Sequence, residues 1–132
     1  MSYQFSSDPR LEFSPVCRGL IAANVLVFVL IAAGELLNLP GFEPVSLYGH
    51  LGFLPERMLR EGMIWTPVTH MFLHANLIHI GVNMMGLYLL GPDLEQALGH
   101  WRFLGYYLIC GLAGALCFGI ISFLIQQQGL PV

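Results

Sequence analysis

Residues 65–98 read WTPVTHMFLHANLIHIGVNMMGLYLLGPDLEQAL, and their reading decides the fold. Inside them runs an apolar stretch, Leu77 to Leu90, interrupted by His79 and Asn83. Asn76 is a good N-cap and predicts a helix start at that point. Gly91-Pro92 predicts its end. A helix of about 14 residues would be roughly 21 Å long, short of a hydrocarbon core of about 30 Å. Such a helix would begin below the membrane surface, with His70 and His74 in a looping segment that feeds it. Non-helical backbone at that depth needs a cover of protein or a wet cavity.

Outward from this stretch, two further apolar runs make the chain an all-α membrane protein. The first span is expected over about residues 20–37, LIAANVLVFVLIAAGELL, and the last over about 103–125; the middle one is 77–90. Residues 1–15 read as a polar tail and 16–132 as a single membrane domain. The connection 40–69 mixes Gly, Pro and aromatics with a few charges, which is too apolar for a solvated linker and too broken for a span. It reads as a membrane-associated first loop, with a short interfacial helix over Pro55 to Arg60. Residues 91–102 read as a short polar turn. Gly111, Ala115 and Gly119 recur at four-residue intervals in the last span, a small-residue face suited to close helix contact.

Composition agrees. The 132 residues are 56% hydrophobic and 10% charged, with a formal net charge of −3; soluble domains carry about 25% charged residues. There is no Lys, and the acidic balance argues against a phosphate-binding surface, so no nucleic-acid partner is expected. Three cysteines, Cys17, Cys110 and Cys117, give no disulfide framework and read as small apolar packers. If the three spans alternate, Arg10, Arg18 and Arg102 fall on one side and Arg57 and Arg60 on the other. That bias favours a cytoplasmic N-terminus.

The chemistry lies in the pattern His70-x3-His74-x4-His79-x3-Asn83. Polar side chains in membrane helices often just bond a neighbouring helix, at about 0.6 kcal/mol each. Four polar groups in one segment point further, to a site. Imidazole and amide N–H groups held in a low-dielectric cavity can stabilise a developing oxyanion. A metal site is the other chemical reading of the histidines. However, Met71 stands where H-E-x-x-H would place its Glu, and no carboxylate lies among them; no cofactor or metal is therefore expected. The oxyanion reading needs a nucleophile. None of Ser2, Ser6, Ser7, Ser14, Ser46 and Ser122 sits in G-x-S-G or a comparable glycine setting.

The stretch from Trp65 to Leu116, with its His/His/His/Asn spacing, then Gly91-x3-Glu95 and Leu98-Gly99, resembles the N-terminal half of a rhomboid intramembrane serine protease. The resemblance implies that His79 and Asn83 help form an oxyanion hole and that His74 orders the loops above it. It gives His70 a more structural part, and Trp65 the place of the Trp in a loop Trp-Arg pair whose Arg is here Thr66. Glu95 matches the acidic residue of the polar turn. The family's Ser in G-x-S-G and its His base belong to later helices that these 132 residues do not contain. The resemblance thus implies a truncated rhomboid-like bundle, holding the oxyanion half of a serine endopeptidase and inactive alone. Its partners would be the lipid bilayer, a transmembrane protein substrate, and a second chain that supplies the missing helices. It would be a multi-pass protein of a bacterial inner membrane, prone to self-association through its open face. The competing function is a non-catalytic module that binds membrane helices through the Gly111/Ala115/Gly119 face.

Overall fold

The computed structural model describes residues 14–127, the side chains of residues 126 and 127 excepted. The expected polar tail therefore lies outside the described residues, apart from Ser14 and Pro15. Every element among the described residues is helical. Helix α1 spans Pro15–Leu36, α2 Pro44–Leu51, α3 Pro55–Glu61 and α4 Thr66–Thr69; a 3-10 turn follows over His70–Phe72. Helix α5 spans Leu77–Leu98 and α6 His100–Gln127. Each of α1 to α4 carries a proline in its first turn, where the fixed φ suits a helix start and the missing N–H costs nothing.

Three helices, α1, α5 and α6, are long and apolar enough to cross a membrane. Large side chains such as Leu26, Ile109 and Leu116 face outwards along them. In water that surface would be an aggregation hazard, whereas lipid solvates it. The chain is a multi-pass integral membrane protein, with these three spans among the described residues.

The first span starts earlier than the apolar run suggested. Pro15 opens the helix, and the Val16 and Cys17 N–H groups donate to the Glu95 carboxylate at 3.0 and 2.7 Å. A buried acceptor thus takes two of the donors that a helix start leaves over. Around this junction Cys17, Leu20 and Phe103 form the core, with Leu87, Leu104 and Tyr107 packed against them. Deeper in, the fully buried Asn24 donates to Leu20 O at 2.7 Å and reaches the Tyr107 hydroxyl of α6 at 3.4 Å.

The middle span corrects the sequence reading. It does not stop at Gly91-Pro92 but runs on to Leu98, for 22 residues, or about 33 Å. An interior proline normally breaks a helix because it removes a donor and crowds the preceding turn. Here Pro92 is buried against the start of α1, and its carbonyl accepts from the Ser14 hydroxyl at 3.4 Å. Gly91 is what permits this approach: a Cβ there would lie 2.5 Å from Cys17 Sγ. The helix is therefore long enough to cross, and its length does not require the start below the membrane surface that a helix of 14 residues would. The expected polar turn shrinks to Gly99, whose φ of 81° suits glycine, and α6 begins at His100 rather than near Phe103.

Two other expectations change with the packing. Cys110 and Cys117 are exposed on α6, so only Cys17 is an interior packer. The small-residue face of α6 is covered by the chain's own connecting segment. A Cβ at Gly111 would run into Met71, one at Gly119 would lie 2.9 Å from Pro55 Cγ, and Ala115 is buried.

Candidate functional site

The helix cap builds the site. Asn76 Oδ1 accepts from the His79 backbone N–H at 2.9 Å, which fixes the first turn of α5. His79 and Asn83 are one turn apart and share a helix face. The chain just before the cap carries His74, which is buried at 4% exposure. Its Nε2 lies 3.2 Å from Asn83 Nδ2, and its Nδ1 lies 3.3 Å from Phe72 O. A carbonyl can only accept, so Nδ1 carries the proton and Nε2 accepts from the Asn83 amide. The His74 ring also stands edge-on to His79, with centroids 5.0 Å apart.

Electrostatics favour the neutral ring over its protonated form. Burial lowers the His74 pKa below the ordinary histidine value; the Phe72 carbonyl opposes this, and the His79 ring adds a smaller push in the same direction as burial. A neutral His74 leaves Asn83 oriented, with one amide N–H engaged and the other available. Asn83 and His79 are themselves exposed. Asn83 lines a groove of about 300 Å³ between α5 and α6, whose other walls include Gly86, Leu87, Tyr106, Tyr107 and Cys110. The donors stand on an open face.

The other candidates lie elsewhere. His70 is held by its own turn, Nδ1 to Thr66 O at 3.2 Å, and packs on the Phe53 ring at 5.8 Å. Trp65 Nε1 donates to His50 O at 3.0 Å, and the buried Thr66 hydroxyl donates to Met63 O at 2.8 Å. Glu95 is not in a polar turn. It is a buried residue of α5, engaged by Val16 N, Cys17 N and His100 Nδ1, the last at 2.6 Å. Ser14, beside Pro92, stands about 20 Å down α5 from His79. Among the described residues no group of three His, Cys, Asp or Glu side chains could hold a metal ion. Sequence reasoning missed Tyr48, whose hydroxyl donates to His74 O at 3.2 Å. Its only signal was the Pro44 helix start that places it in α2.

The Rhomboid domain family model matches residues 61–129. RHOMBOID-like protein 2 of Arabidopsis thaliana is 37% identical, over 98% of this chain and 48% of the relative. Rhomboid protease GlpG of Pectobacterium atrosepticum is 26% identical, over 89% of this chain and 37% of the relative. Rhomboid protease GluP of Bacillus subtilis is 29% identical, over 77% and 19% respectively. The chain spans about half or less of the length of the curated relatives it matches. No solved structure matches.

Proposed function

The chain belongs to the rhomboid family, and from that premise we propose that it supplies the oxyanion-donor half of an intramembrane serine endopeptidase acting on transmembrane protein substrates. The observation that carries the reading is the contact of His74 Nε2 with Asn83 Nδ2 at 3.2 Å, with the His79 ring beside it. A neutral, buried imidazole there orients an amide donor, and Asn83 and His79 sit on a face open to a reacting group.

When a serine alkoxide attacks a peptide carbonyl, negative charge develops on the carbonyl oxygen. The free Asn83 N–H and a ring N–H of His79 would meet that oxygen. Donors fixed in advance act there because they need no reorganisation as the charge forms, and removing one costs about 2.7–4 kcal/mol of barrier. The Ser–base pair that generates the nucleophile comes from outside these 132 residues, on further helices that pack on the open α5 face. The arginine bias supports a cytoplasmic N-terminus. The three apolar helices support a multi-pass membrane protein, and relatives from plants, Toxoplasma gondii and bacteria favour no one organism's membrane.

The test is direct. The purified 1–132 polypeptide, reconstituted with a single-pass transmembrane reporter, is expected to leave the reporter intact. Cleavage that disappears in His79→Ala would show a complete active site within these residues and overturn the half-site reading.

A further inference from the structure

Helix α2 ends at Leu51, and its last carbonyls have no partners within the helix. Three successive ones are met by side chains from three different places. Arg57 Nη1 donates to Gly49 O at 2.5 Å, Trp65 Nε1 to His50 O at 3.0 Å, and Thr69 Oγ1 to Leu51 O at 2.6 Å. The Gly52 N–H takes the carbonyl before them, Tyr48 O, at 2.9 Å. Arg57 is itself steadied by Glu61, with contacts of 3.1 and 2.9 Å. Position 66 holds a buried Thr where the resemblance led to an Arg, and the guanidinium that ties down this loop comes from α3.

The clamped helix carries Tyr48. Its phenol donates to His74 O at 3.2 Å, and burial, with the Glu35 carboxylate nearby, keeps that phenol protonated as a donor. His74 in turn holds Asn83 at 3.2 Å. The contacts therefore run unbroken from Arg57, Trp65 and Thr69 through α2 to the amide of the site.

We propose that Tyr48 is a positioning residue for His74, and that Arg57, Trp65 and Thr69 act as a three-point clamp that sets α2 so that Tyr48 reaches it. The role at Asn83 rests on the oxyanion reading, but the clamp is tested without any peptidase activity. Nitrogen NMR of the His74 ring in the full 132-residue chain, in bicelles, reports which ring nitrogen carries the proton. The wild-type chain is expected to show Nδ1 protonated and Nε2 bare.

Tyr48→Phe and Arg57→Ala should each convert His74 to a mixture of the two tautomers, with helix content unchanged. Arg57→Lys should restore most of the wild-type pattern, because an ammonium still donates to Gly49 O. Leu59→Ala, at an exposed position of the same loop, should leave the pattern untouched. Should Arg57→Ala fail to fold, Tyr48→Phe decides, since it removes one hydroxyl. A single Nδ1–H tautomer in a folded Tyr48→Phe chain would overturn the proposal, as would an equal change in Leu59→Ala.

Discussion

The two ends of α5 are built on opposite principles. At the Glu95 end a carboxylate is fully buried, with donors from α1 and from His100 around it. At the His79 end the polar groups are exposed, and Asn83 keeps a donor unused beside an apolar groove. Buried polar groups that are fully partnered hold a fold together, because leaving them unpaired is costly. Exposed donors contribute less to the stability of a bundle, and the proposed function directs the unused ones at a group outside it. The same helix thus carries a structural end and, on the proposed reading, a functional end, and substitutions should separate them.

The largest expected effect is at the structural end. Glu95→Ala strands the Val16 and Cys17 N–H groups and His100. Hydrogen bonds to charged groups contribute about 1.5–3 kcal/mol each, so a loss of roughly 3 kcal/mol or more is expected in detergent unfolding. Glu95→Gln, which keeps an acceptor, should lose less. A smaller effect is expected at Gly91→Ala, where the new methyl meets Cys17 Sγ at 2.5 Å. Overpacking of this kind costs about 1–3 kcal/mol. The double variant with Cys17→Ala should recover much of it, and its failure to do so would break the account of why α1 and α5 approach so closely.

At the other end the expected stability effect is smaller and depends on pH. Burial depresses the His74 pKa in the folded chain, so the unfolded chain binds the proton more readily. The contribution of a neutral His74 is present above the unfolded value of about 6.5 and is lost as the pH falls below it. Unfolding measured from pH 8 to pH 5 should show an acid-side loss that is reduced in His74→Gln. The same loss in both chains would place the acid sensitivity elsewhere.

How much of this was legible in the sequence follows from the same contrast. The three spans, the Asn76 cap and the His79/Asn83 pair are local features, set by hydropathy, capping chemistry and helical spacing, and they could be read in advance. The continuation of α5 through Pro92 could not, because the residues packed against it there, Ser14 and Cys17, lie more than seventy residues away in the chain. Glu95 read as the acidic residue of a polar turn for the same reason: two of its partners are backbone N–H groups, which leave no mark in a sequence. Tyr48 was hidden too, since its partner is a carbonyl. The small-residue face of α6 was visible as a pattern, but sequence alone could not say that Met71 and Pro55 would cover it.

The most direct measurement pairs the two ends in one experiment. The 132-residue chain is reconstituted with a polypeptide that carries the remaining rhomboid helices, including the G-x-S-G serine and the histidine base. Cleavage of a transmembrane reporter and detergent unfolding are then measured for wild type and Asn83→Ala. Asn83→Ala is expected to lower kcat about 100-fold or more, with unfolding shifted by no more than about 1–3 kcal/mol, the cost of leaving the buried His74 Nε2 without its donor. Undiminished kcat, or a loss of cleavage that merely tracks a large loss of stability, would contradict the assignment of Asn83 as an oxyanion donor.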